Sequence, residues 1–89
     1  MNPNASHLVS LISIAENRLS ALFYLTGGGA FAGEYVLVSS ARVGNLEHEE
    51  TCIFIADEAG EPKDWVALYR RLDFDQDEAL KSFGYPRLT

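Results

Sequence analysis

From Asn4 to Thr26 apolar residues recur at Leu8, Leu11, Ile12, Ala15, Leu19, Leu22 and Phe23, as single residues or adjacent pairs three or four positions apart. That spacing is the period of a helix with one buried face. Ser6, Ser10, Ser13, Asn17 and Ser20 follow the same period on the opposite side. Asn2 or Asn4 can cap the start, Pro3 is tolerated in the first turn, and Gly27, Gly28 and Gly29 supply a stop. The spacing therefore predicts one long helix over residues 4–26. At 1.5 Å per residue it would be about 34 Å long, roughly the diameter of a domain this size, so everything else would have to pack on it. Val9, Ile14, Ala21 and Leu25 fall outside the main stripe and suggest a second contact surface.

Residues 34–43 and 47–56 are rich in β-branched and aromatic residues and read as two strands. Gly44-Asn45 between them suits a two-residue hairpin turn. That register sets Val43 opposite Leu46, Arg42 opposite Glu47, Val36 opposite Ile53 and Tyr35 opposite Phe54. Asp57-Glu58-Ala59-Gly60 reads as a turn. Residues 61–72 fit a helix, with Pro62 in its first turn and an apolar face of Trp65, Leu68, Tyr69 and Leu72. A third strand through 65–72 is the alternative. Residues 76–83 read as a short helix capped by Asp75, with Glu78 three positions on and Gly84 closing it. The expected fold class is α+β, in one domain spanning residues 1–89: a long N-terminal helix on an antiparallel hairpin or small sheet, then a helix or third strand, then the short C-terminal helix. A full nucleotide-binding sheet or a TIM barrel needs a far longer chain than 89 residues.

Charge is distributed unevenly. Residues 1–46 hold Glu16, Glu34, Arg18 and Arg42 and sum to zero, so the whole net charge of −6 lies in residues 47–89. A negative surface repels phosphate backbones and anionic membranes, so neither nucleic acid nor membrane is an expected partner. Glu47, Glu49, Asp57, Glu58 and Glu61 are the candidates for an acidic face. A solvated, solubilising face is the plainer account of them. The single cysteine, Cys52, permits no intramolecular disulfide and suits a reducing cytoplasm. Ala30-Phe31-Ala32 has the shape of a signal-cleavage site, but residues 1–15 carry no positive charge. Glu16, Asn17 and Arg18 also interrupt the apolar run that a membrane helix would need.

Thr26-Gly27-Gly28-Gly29-Ala30-Phe31-Ala32-Gly33 resembles the phosphate loop of the extended short-chain dehydrogenases, with Ala30 standing where that family has glycine. The resemblance implies a nicotinamide cofactor, with Asp57 as the acid that holds its ribose. In that family the glycines follow a strand and open a helix whose amides hold the pyrophosphate. Here a helix is expected before the loop and a strand after it. No tyrosine-and-lysine pair is spaced as that family needs, so no cofactor is expected. His48 and Cys52 lie four residues apart on a strand, about 13 Å at 3.3 Å per residue, too far for a thiol–imidazole pair. Two histidines and one cysteine offer no zinc spacing, so no metal site is expected either.

With no catalytic constellation, the residues favour a small acidic interaction protein that acts by protein–protein binding as a homodimer. A two-stranded hairpin is marginal alone, and a second copy would complete it. The interface candidates are Val9, Ile14, Ala21, Leu25, Trp65 and Tyr69. One alternative is an acidic inhibitor or nucleic-acid mimic of the kind carried by phages and mobile elements. Another is a small ligand-binding domain or enzyme using the glycine-rich loop 26–33.

Overall fold

Residues 4–26 form two antiparallel strands and not the expected helix. The computed structural model describes residues 4–15, 18–43 and 48–88. Strands β1 (Asn4–Ala15), β2 (Arg18–Gly27), β3 (Tyr35–Val43), β4 (His48–Ala56) and β5 (Tyr69–Arg71) make one antiparallel sheet in chain order, followed by helix α1 (Gln76–Phe83). The fold is thus an antiparallel five-stranded sheet with one short helix, which replaces the α+β arrangement built on a long N-terminal helix.

The helical period of residues 4–26 has a specific origin. Leu8 pairs with Phe23 and Ser10 with Leu22, which leaves Val9 as an extra residue in a bulge. Leu11 then pairs with Ala21. Residues two apart share a sheet face, so Ala21 and Phe23 point the same way, and with them Leu8 and Leu11. The bulge has stretched the spacing of two to three. β2 adds to the imitation because both of its faces are buried: Ala21, Phe23 and Leu25 on one side, Leu22 on the other.

The β3–β4 hairpin is present with its register moved by two. Val43 pairs with His48, Arg42 with Glu49, Val36 with Ile55 and Tyr35 with Ala56. A shift of two keeps every side chain on its expected face. The expected Gly44-Asn45 turn lies outside the described residues. Residues 65–72 resolve toward the strand alternative, since Tyr69–Arg71 is β5, paired with Thr51–Ile53, and no helix forms there.

Helix α1 occupies the expected residues 76–83. The Asp75 carboxylate accepts the Glu78 N–H at 3.0 Å, and Gly84 closes the helix in the left-handed region at φ 106°. Its Ala79 and Leu80 are buried against Ala21, Phe23, Val36, Val38 and Ile53. Burying a leucine of this kind contributes about 1.5–3 kcal/mol. After α1 the chain returns to the outer edge of β1, where Ser6 N–H donates to the Pro86 carbonyl and Leu88 N–H to the Ser6 carbonyl. The other sheet face holds a smaller cluster of Leu22, Leu37 and Ala56, flanked by Ile12 and Tyr35. Gly60, at the end of the 57–60 turn, lies against Ile12 and Leu22 of this cluster. A Cβ on Gly60 would come within 2.9 Å of Ile12 Cδ1, the movable end of a side chain, so it is the φ of 91° that favours glycine there.

One chain therefore supplies five paired strands. The incomplete hairpin that called for a second copy does not exist.

Candidate functional site

The most exposed apolar side chains of the acidic half belong to a loop on the β4–β5 edge. After Ala56 the chain turns at residues 57–60, and Asp57 Oδ1 fixes the turn by accepting the N–H of Ala59 at 2.9 Å and of Glu61 at 3.0 Å. The chain then runs back along β4, with Lys63 N–H donating to the Ile55 carbonyl at 2.8 Å. It pairs again at Leu68, whose N–H donates to the Ile53 carbonyl at 2.7 Å. Ile55 and Ile53 are two positions apart on β4, whereas Lys63 and Leu68 are five apart on the returning chain, so Asp64–Ala67 is looped out. Asp64 Oδ1 accepts the Val66 N–H at 2.9 Å and holds that loop in shape. Trp65 stands edge-on to Phe54, with ring centroids 5.3 Å apart, yet is 68% exposed; Val66 is 69% exposed.

A second exposed apolar group lies at the far end of β1 and β2. Leu11 is 65% exposed, Leu19 51% and Val9 48%. Leu11 pairs with Ala21, two residues from Leu19, so the two leucines are diagonal neighbours on one face, about 7–8 Å apart.

The expected interface residues are thus dispersed. Ala21 and Leu25 are fully buried and belong to the core beneath α1 and the returning C-terminal segment, not to a free surface. Tyr69 is half-buried against the same core. Ile14 lies on β1, with its side chain outside the described residues. Val9 and Trp65 are exposed, and they stand on opposite edge regions of the sheet, β1 and the β4–β5 loop. Leu11, Leu19, Val66 and Leu68 escaped the sequence reading, because on a helix the leucines belong to the buried stripe.

The acidic candidates do not form one row. Glu49 lies near the start of β4 and pairs with Arg42 at 3.5 Å, whereas Asp57 follows its end. They are eight positions apart along an extended chain, about 26 Å. Glu47 lies outside the described residues. Several acids hold the fold together. Asp57 and Asp64 shape turns, Asp75 caps α1, Glu50 pairs with Arg70, Asp77 lies 3.5 Å from Arg87, and Asp73 takes a two-pronged contact from Arg71 at 2.6 and 2.9 Å. That contact holds the Asp73 carboxyl below the ordinary carboxylate range and the Arg71 guanidinium above its own. Glu58 and Glu61 are exposed and make no ion pair among the described residues.

The glycine-rich segment is a hairpin connection between β2 and β3. A strand precedes it, contrary to expectation, and a strand also follows it, so no helix N-terminus faces it. Its inner side is filled by the protein itself. The buried Tyr85 hydroxyl accepts the Phe31 N–H at 2.9 Å, and a Cβ on Gly29 would lie 2.6 Å from that hydroxyl. Asp57, the residue aligned with a ribose-binding acid, has its Oδ1 engaged by two backbone N–H groups. Cys52 faces Glu50 at 3.6 Å. Burial first, and then the Glu50 charge, push the thiol up from its ordinary value, away from nucleophilic use. Among the described residues no three histidine, cysteine or acidic side chains gather as metal ligands.

Set beside known protein families, curated proteins and solved structures, the chain matches none. Among the described residues no helix is long and apolar enough to cross a membrane. Function must therefore be argued from the surface alone.

Proposed function

We propose that the protein is a non-enzymatic interaction module that works in the cytoplasm as a homodimer, joined through the outer end of β1 and β2. One observation carries this reading: Leu11 and Leu19 project exposed from two paired strands in the half of the chain whose charge sums to zero. Burying each leucine against a second copy would contribute up to about 1.5–3 kcal/mol before the cost of association. The charge argues for the same end. Two like charges 4 Å apart repel by about 1 kcal/mol in water and about 4 kcal/mol at the effective dielectric of a protein surface. Self-contact through the Asp57–Asp64 loop would incur that cost repeatedly. Residues 4–27, by contrast, hold one acid, Glu16, and one base, Arg18, and meet the acidic first turn of α1 at Leu19, whose carbonyl accepts from Gln76 Nε2 at 3.2 Å. A two-fold axis would set the same patch against itself.

Light scattering tests the reading. The expected mass is about twice the 9.8 kDa of one chain at micromolar concentration. Leu11→Glu combined with Leu19→Glu changes only exposed positions, so it should give a folded chain of monomer mass. A wild-type chain that stays at monomer mass up to millimolar concentration would remove the homodimer from consideration.

A further inference from the structure

We propose that the Asp57–Leu68 loop is a docking surface for a basic segment of another protein, one that carries leucine-like side chains among lysines or arginines. This surface is separate from the proposed self-contact and makes a different kind of match.

The loop is built to hold apolar groups in water. Backbone pairs to Ile55 and Ile53 fix both of its ends, and the Asp57 and Asp64 carboxylates fix its two bends. Trp65 is braced by Phe54 and still more than half exposed, with Val66 beside it. A side chain already held in place loses little freedom on binding, and tryptophan is among the residues that most often dominate an interface. Gly60 of the same loop lies against Ile12 and Leu22 of the smaller core, whereas Trp65 stays largely in water.

Charge selects the occupant. Asp57, Glu58, Glu61 and Asp64 belong to the same loop as the apolar pair, and Lys63 is the one base within it. A nucleic-acid backbone and an anionic membrane are repelled by that rim. A second copy would bring the same four acids and be repelled too. A lysine- or arginine-bearing segment is attracted, and exposed rim charges of this kind speed association in a salt-dependent way.

Trp65 is the only tryptophan, so its fluorescence reports on this loop directly. The probe is a synthetic peptide alternating lysine and leucine, titrated at low salt. The expected result is a saturable blue shift of Trp65 emission whose apparent affinity falls as salt is raised. Glu58→Lys with Glu61→Lys, both exposed, should weaken it at least roughly tenfold. Val66→Asn should weaken it by about tenfold, the loss expected for one buried valine. Far-UV circular dichroism verifies that each variant is folded. A peptide alternating lysine and serine tests the apolar half of the match, and one alternating glutamate and leucine tests the charge. The proposal is overturned by an absent or unsaturable response, by an equal response to either control peptide, or by indifference to the charge-reversed pair. A stronger shift with neutral phosphatidylcholine vesicles than with the lysine–leucine peptide would overturn it in favour of a lipid surface. Chain mass at Leu11 and Leu19 and emission at Trp65 are independent readouts, so either reading can fail without the other.

Discussion

Gly29 in the β2–β3 connection and Tyr85 in the segment after α1 should be energetically coupled. Gly29 sits at φ 91°, and a Cβ placed on it would lie 2.6 Å from the Tyr85 hydroxyl. That hydroxyl cannot simply withdraw, because it is buried and accepts the Phe31 N–H at 2.9 Å. Gly29→Ala therefore meets two penalties. Left-handed backbone costs an alanine about 1–2 kcal/mol, and the collision adds about 1–3 kcal/mol, the usual cost of overpacking. The amide of the Asn4 side chain is also near, at 3.1 Å. It sits at the start of β1 and can rotate aside. Tyr85→Phe removes the oxygen and keeps the ring against Phe83, at a cost of about 1 kcal/mol for the lost hydrogen bond, and up to about 3 if the Phe31 N–H stays unsatisfied. In the Tyr85→Phe background, Gly29→Ala should cost only the backbone part. The double variant should thus be more stable than the sum of the single effects by about 1–3 kcal/mol. Urea unfolding followed by far-UV circular dichroism measures all four corners of this cycle. Additivity within about 0.5 kcal/mol would show that the hydroxyl and the glycine do not compete for one space.

Three further outcomes follow from named contacts. The buried Thr51 hydroxyl donates to the Asp73 carbonyl at 2.6 Å and bonds Ser40 Oγ at 2.9 Å, so Thr51→Val, equal in shape, should cost about 1–3 kcal/mol in urea; a neutral result would mean these bonds contribute nothing net. Arg71 lowers the folded-state pKa of Asp73, so this contact stabilises the fold above the ordinary carboxyl value of 3.8 and is lost as pH falls through the lower folded value. The stability gap between wild type and Asp73→Asn should accordingly close on acidification below that range, and a gap unchanged down to pH 2 would contradict the pairing. Cys52, its thiol raised by burial and by Glu50, should react with iodoacetamide at pH 8 more slowly than free cysteine, and Glu50→Gln should recover only part of the difference because burial is the larger cause; a rate equal to free cysteine in the folded wild type would show the thiol to be unperturbed.

Local chemistry was legible in the residues wherever neighbours in sequence decide the structure. The short helix 76–83 has its acceptor at Asp75, its donor at Glu78 and its left-handed stop at Gly84, all within one or two turns. The β3–β4 hairpin was legible for the same reason, and its two-residue register error left every face correct. The exposed loop was partly legible: Trp65 stood among the interface candidates, and Asp57-Glu58-Ala59-Gly60 read as a turn. That Asp64–Ala67 would be looped out is decided by pairing on either side of it, through Ile55 and Ile53 of another strand.

Residues 4–26 mark the limit. Apolar period reports that a segment contributes to a core, and it reports the element and the buried residues only when one face is buried and the strand is regular. Here the Val9 bulge stretched a spacing of two to three, and burial of β2 on both faces put Leu22 beside Phe23, so two strands imitated a helix. The choice between them depends on partners far along the chain. Val36 and Val38 of β3 pair with Phe23 and Ala21, and Leu80 of α1 packs over them. The residues alone dictate that this segment feeds a core, where the short helix begins and ends, and that the charge lies in the second half. That Ala21 and Leu25 are core while Leu11, Leu19, Trp65 and Val66 face water follows from the long-range packing, because the same apolar residue is covered or bare according to which distant strand or helix reaches it.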